Sequence, residues 1–211
     1  GTMLLPLAAA DPFYDIYFTE QRHWEGDPLG NERNGDGSIK VGKSAAFVAI
    51  SRDGGHSWHE TREIARDPAV NFYEPALTCL ASGRLICHLR SSDEGEEYLY
   101  QVTSDDNGLT WTAPRQTPIW GFPADIVQLP DGRVLTIYGH RRPPFGIRAC
   151  LSADNGDTWN VEHEIIIRDD LPSANLGYPA AIALADGTVF AVYWGEDGQG
   201  VTTIQGTFFK P

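Results

Sequence analysis

Ser51-Arg-Asp53-Gly-Gly55-His-Ser-Trp58, Ser104-Asp-Asp106-Asn-Gly108-Leu-Thr-Trp111 and Ser152-Ala-Asp154-Asn-Gly156-Asp-Thr-Trp159 are three copies of one pattern, Ser-x-Asp-x-Gly-x-x-Trp. Their first residues stand 53 and 48 positions apart. A period near 50 marks stacked or radially arranged β-units. Each residue type has a job in a tight loop. Ser and Asp oxygens accept hydrogen bonds from turn N–H groups. Gly takes a positive φ, and Trp folds back as a large apolar plug.

Between the copies lies a second repeat, a strand, a turn ending in Gly and a returning strand. It runs Glu74 to Gly83 then Arg84 to Arg90, Pro123 to Gly132 then Arg133 to Gly139, and Tyr178 to Gly187 then Thr188 to Trp194. β-Branched residues around a turn Gly spell hairpins. A third strand follows each hairpin, over Tyr98 to Ser104, Gly146 to Ser152 and Val201 to Phe208. The first two run into a Ser-x-Asp loop, and a short fourth strand follows. No helical 3.6-residue period runs long enough to compete. The expectation is an all-β chain of four-stranded antiparallel blades, a partial β-propeller in which the loops are Asp boxes joining the two outer strands.

The N-terminus, Gly1 to Leu7, aligns with Gly187 to Tyr193. On that register the chain opens at the second strand of a blade and holds about three and a half blades, where propellers have roughly four to eight. Residues 1–211 thus read as one incomplete domain. Residues 8–43, rich in Gly, Asp, Asn and Pro with Tyr14, Tyr17, Phe18 and Trp24 among them, read as a long loop over the top face of the first blade. Open blade edges make self-association an expectation.

Composition narrows the partners. A net charge of −13 argues against a nucleic-acid partner, which needs a basic surface. No apolar run reaches the roughly 20 residues of a membrane span. No signal peptide is visible at this N-terminus. Three Cys make no disulfide framework; Cys79 and Cys87, on either side of the Ser82-Gly83 turn, read first as two small strand residues, with a meeting across the hairpin as the alternative. The compartment stays open.

Geometry sorts the remaining residues by face. First strands run from top to bottom, so Glu74, Pro123 and Tyr178 begin at the top, where Arg90, Gly139 and Trp194 end. The Asp boxes fall at the bottom, with carboxylates already occupied by the turn, so neither catalysis nor calcium is expected of them. At the top gather Glu74, Arg90, Tyr178, Asp125, His140, Arg141, Arg142 and Arg148. Taken singly, each also reads as an ion pair, packing or solvated loop.

Taken together, the Asp boxes, the Glu followed by Arg at the next strand's end, the Arg residues near the third blade's loop and the Tyr before the last hairpin resemble the sialidase (neuraminidase, BNR-repeat) family. The likeness is closest to the C-terminal part of its six-bladed propeller and to a bacterial sialidase-like branch. It implies an exo-glycosidase that removes terminal sialic acid, or a related acidic sugar, with retention of configuration. By the resemblance, Tyr178 is the nucleophile, Glu74 its base and Arg90 a clamp on the substrate carboxylate. A second clamp comes from Arg142, the first choice, or from Arg148 or Arg141. Asp125 and His140 then belong to the pocket, and no cofactor or metal is implied. The family's first clamp Arg and its general-acid Asp have no counterpart in this sequence, so the chain alone is expected to have little or no activity. The alternatives are a glycan-binding or scaffolding propeller without catalysis, and another glycosidase or lyase on the same propeller.

Overall fold

The computed structural model describes residues 45–58, 60–91 and 97–211. The expected strand at Gly1 to Leu7 and the loop over residues 8–43 lie outside them. Thirteen strands fill the described residues: β1 (Ala46–Ile50), β2 (Glu60–Ala65), β3 (Phe72–Cys79), β4 (Leu85–Ser91), β5 (Tyr98–Ser104), β6 (Arg115–Trp120), β7 (Ala124–Gln128), β8 (Val134–His140), β9 (Phe145–Ser152), β10 (Ile165–Leu171), β11 (Leu176–Ala183), β12 (Val189–Glu196) and β13 (Thr202–Phe209). One 3-10 turn, Val161–His163, interrupts them. No helix among the described residues is long and apolar enough to cross a membrane.

The strands form antiparallel meanders in chain order, β1-β2, β3 to β6, β7 to β10 and β11 to β13. Each meander folds locally because its turns are short. The turn glycines Gly83, Gly132 and Gly187 have φ of 88°, 92° and 80°. Each donates its N–H to the carbonyl three residues earlier, on Leu80, Leu129 and Leu184. A side chain at these φ values would be strained, which is why Gly recurs there.

Packing between sheets follows from alternation along strands. β12 buries every second residue. β8 is buried along its whole length, because a sheet lies against each of its faces. Three apolar clusters fill the spaces between successive sheets. Val48, Ile64, Phe72 and Leu89 join the first pair. Ile86, Leu99, Ile126 and Tyr138 join the second. Leu135, Ile137, Leu176 and Val189 join the third. Each such side chain contributes about 1.5–3 kcal/mol on burial. The first strands of the sheets lie side by side, with β7 against both β3 and β11. The whole is all-β, its sheets set as a partial β-propeller sets them.

The three Ser-x-Asp loops share the hydrogen bonds of their Ser and Asp side chains. The Ser hydroxyl donates to the Asp carboxylate at 2.8, 2.7 and 2.7 Å. It accepts from the N–H of Gly55, Gly108 and Gly156 at 2.8, 2.9 and 2.9 Å. The same carboxylates accept from the backbone N–H of Ser57, Thr110 and Thr158, at 2.9 Å each. The loops also bind sheet to sheet. Arg84, beside the Gly83 turn, pairs with Asp105 at 2.8 Å and with Asp157 at 2.7 Å, and Gln101 and Arg115 donate to the Gly156 carbonyl.

One alternative falls and one expectation changes. Cys79 and Cys87 do not face each other: Cys87 lies opposite Leu77, Cys79 lies opposite Leu85, and all three cysteines are free. Their spacing around the turn is uneven by two residues, which shifts the register. Glu74 and Tyr178 also do not begin their strands. Each sits two residues inside, at a break in register between Tyr73 and Ala76 in β3 and between Gly177 and Ala180 in β11.

Candidate active site

Glu74 and Tyr178 share one local device. Both precede proline, and proline inside a strand marks a bulge or an edge because it cannot donate to the ladder. At both bulges the residue before Pro takes a left-handed backbone, with φ of 42° at Glu74 and 48° at Tyr178. For a residue with a Cβ this costs about 1–2 kcal/mol, and such cost concentrates at functional sites. The last paired positions before the two bulges are Tyr73 opposite Arg90 and Gly177 opposite Trp194. Arg90 therefore stands beside Glu74 as Trp194 stands beside Tyr178.

The bulges bring the two side chains together across the sheets. The Tyr178 hydroxyl donates to Glu74 Oε1. Arg90 Nη1 donates to both Glu74 oxygens, at 2.9 and 3.0 Å. Glu74 and Arg90 are mostly buried, with side chains 12% and 25% exposed. Tyr178 is 48% exposed and stacks on Trp194 with ring centroids 6.3 Å apart. Burial, then the hydrogen bond and charge of Glu74, raise the Tyr178 hydroxyl above its ordinary value, while Arg90 and Arg141 pull the other way. The phenol is therefore neutral at rest, with its hydroxyl hydrogen-bonded to Glu74.

Three arginines were candidates for the second clamp, and the structure puts them in three places. Arg141 joins the central group. Its guanidinium lies 5.9 Å from the Tyr178 ring centroid and 5.1 Å from that of Phe122, and Arg90 lies over the same Phe122 ring at 4.2 Å. Burial and the neighbouring Arg90 charge lower Arg141, against the opposing charges of Tyr178, Glu74 and Glu97. The buried Nε of Arg141 has no hydrogen-bond partner among the described residues. Arg142 turns away onto Trp120, 4.3 Å from the ring centroid. Arg148 pairs with Glu164 at 2.6 Å, and the same Glu164 accepts from Tyr138.

His140 and Asp125 are held elsewhere. His140 is 2% exposed and contacts the Pro144 carbonyl at 3.0 Å and Arg142 Nε at 3.2 Å. Asp125 accepts the Ala181 N–H at 2.8 Å, tying β7 to β11, and burial raises its carboxyl above the usual range. Sequence reasoning missed Phe122, the floor under Arg90 and Arg141, and Trp194, the platform under Tyr178. The proline after Glu74 and after Tyr178, and before Ala124, is the signal that could have marked all three inner bends. Among the described residues, no three His, Cys, Asp or Glu side chains are grouped to hold a metal.

Known proteins share the fold. A Dyadobacter fermentans protein of unknown function is 30% identical with a TM-score of 0.71, over 84% of this chain and 51% of its own. The NanB sialidase of Streptococcus pneumoniae is 17% identical with a TM-score of 0.58, over 82% of this chain and 28% of its own. A Penicillium chrysogenum α-L-arabinanase complexed with arabinobiose is 18% identical with a TM-score of 0.58, over 84% and 60%. The chain thus spans about half the length of the Dyadobacter protein and less of the sialidase. No curated protein matches it in sequence. The model of the BNR repeat-like domain matches residues 32–191. With three like loops, radially packed meanders and that match, the chain belongs to the BNR repeat-like domain family and has its sialidase-like fold.

Proposed function

We propose that this chain carries the nucleophile side of a retaining exo-glycosidase acting on a terminal acidic sugar of a glycan, sialic acid or a close relative. Its sheets are then blades of a six-bladed propeller and its Ser-x-Asp loops are Asp boxes, structural and remote from the chemistry. The observation that carries the reading is the Tyr178–Glu74–Arg90 chain of hydrogen bonds with Arg141 alongside.

The residue types suit that chemistry. A sugar bearing a carboxylate at its anomeric carbon repels a carboxylate nucleophile, and a neutral tyrosine avoids the repulsion. Tyr178 Oη attacks the anomeric carbon while its proton passes to Glu74, and the glycosidic C–O bond breaks with the leaving oxygen taking a proton from solvent water. Water then cleaves the tyrosyl–sugar bond and gives up a proton to solvent, while the proton on Glu74 returns to the departing Tyr178 oxygen. Arg90 fixes Glu74 in place. Arg141, with Arg90 Nη2, offers planar donors to the sugar carboxylate.

Hydrolysis of a panel of umbelliferyl glycosides by the intact protein tests this reading. With no general-acid Asp in the chain, the sialoside is expected to turn over only slowly, helped by its good phenolate leaving group, and the arabinofuranoside and xyloside are not. Glu74→Gln is expected to lower kcat by about 10²–10⁴ with KM little changed. Preferential cleavage of a neutral pentoside would reject the acidic-sugar assignment. The Tyr178–Trp194 stack would also suit a non-catalytic glycan-binding propeller. Binding of the sialoside without turnover is the outcome that favours that second reading.

A further inference from the structure

The corner formed by Trp120, His140 and Arg142 lies outside the Tyr178–Glu74–Arg90–Arg141 group. It is built as carefully. The Arg142 guanidinium lies over the Trp120 ring at 4.3 Å. Its Nε donates to His140 Nε2 at 3.2 Å. His140 Nδ1 donates to the Pro144 carbonyl at 3.0 Å, which leaves the lone pair on Nε2 for Arg142. The imidazole meets Trp120 edge-on, with ring centroids 5.6 Å apart, and is itself buried. Burial holds it below its ordinary pKa, so it is neutral and able to accept.

A buried histidine and a tryptophan face therefore orient an arginine that is exposed to solvent. Stacking occupies the π face of a guanidinium and leaves its in-plane donors free. Nε is committed to His140. The four N–H groups on the two Nη atoms have no partner among the described residues. A guanidinium held this way is ready for bidentate binding of a planar oxyanion, because the ordering of a long side chain is already done. The corner also adjoins the central group. Trp120 and Phe122 have centroids 6.4 Å apart, and Phe122 lies under both Arg90 and Arg141.

We propose that Trp120, His140 and Arg142 form a second anion subsite, which takes the carboxylate of the sugar next to the terminal acidic sugar, so that glycans ending in two adjacent acidic sugars are preferred. Arg142 binds the second carboxylate, and His140 and Trp120 position Arg142. The proposal rests on the acidic-sugar reading of the central site.

Calorimetric titration separates the two. The ligands are free N-acetylneuraminic acid, a sulfur-linked α2,8 dimer of it that resists hydrolysis, and the same dimer with its second carboxylate reduced to an alcohol. The dimer is expected to bind about tenfold more tightly than its reduced form. Arg142→Ala is expected to bring that ratio to about one, and Arg142→Lys to restore it only in part, since an ammonium lacks the planar fork. Arg141→Ala is expected to weaken every ligand while preserving the ratio. A ratio near one in the native protein, or one that survives Arg142→Ala, overturns the subsite and leaves the central reading standing. If no acidic sugar binds at all, the central reading falls and the subsite falls with it.

Discussion

Tyr178 and Glu74 owe their meeting to two unfavourable backbone conformations, at φ of 48° and 42°. The register of the hairpin repeat pointed to both residues, because each stands nine positions before its turn Gly. It could not choose among Arg141, Arg142 and Arg148. Adjacent residues leaving a strand project in different directions, and the loop torsions that decide have no period to betray them. Ser104 makes the opposite case, a residue whose role is written in the motif. It is 2% exposed, and its hydroxyl is the acceptor for the Gly108 N–H at 2.9 Å. Ser104→Ala leaves that buried donor unsatisfied, a cost of about 1–3 kcal/mol. Urea unfolding is expected to show a lower midpoint with an unchanged slope. An unchanged midpoint would mean that the loop does not depend on its serine.

Strands and hairpins were largely legible because β-branched residues, turn glycines and repeat spacing agree on them. The bulges in β3 and β11 were legible only through Pro75 and Pro179, and those two strands accordingly start two residues earlier than the sequence suggested. The links between sheets were hidden, since they join residues far apart in sequence. His88 on β4 is one such link. Its Nδ1 meets the Thr136 hydroxyl of β8 at 3.1 Å and its Nε2 meets Gln101 Oε1 of β5 at 3.0 Å. Gln101 in turn accepts from Trp159 Nε1 at 2.8 Å. Burial lowers His88 from 6.5 to about 4, with the Gln101 hydrogen bond opposing and the Arg115 charge assisting. Between those values the unfolded chain binds a proton that the folded chain does not, so stability falls as pH drops from about 6.5 towards 4. The loss approaches on the order of 3 kcal/mol at the lower end. His140, also lowered by burial, adds with the same sign. His88→Gln is expected to flatten the dependence of the urea midpoint on pH across this window. Equal slopes for native and variant proteins would show that His88 is not its source.

Across the molecule, the Ser-x-Asp loops lie at one end of the sheets and the β3 and β11 bulges at the other. Arg84, Arg115 and Gln101 tie the Ser-x-Asp loops into neighbouring sheets. The carboxylates of Asp106 and Asp154 are held near 2, the first by Thr110 and Ser104, the second by Thr158 and Ser152 against the opposing effect of partial burial. They stay ionised and occupied at any working pH, which suits a girdle and not a site. The opposite end gathers the only hydroxyl–carboxylate–guanidinium chain among the described residues that spans two first strands, β3 and β11. That the two sets lie at opposite ends was legible in the sequence because strand direction follows from strand count. The central claim, that Tyr178 is a nucleophile and Glu74 its base, is tested most directly by covalent capture. A 2,3-difluorinated sialic acid carries fluoride at the anomeric carbon, needs no acid to release it, and forms a slowly hydrolysed adduct with an attacking oxygen. Mass spectrometry of the intact protein and its peptides is expected to find one sugar on Tyr178, and none in Tyr178→Phe. An adduct on any other residue, or equal labelling of Tyr178→Phe, would contradict the account.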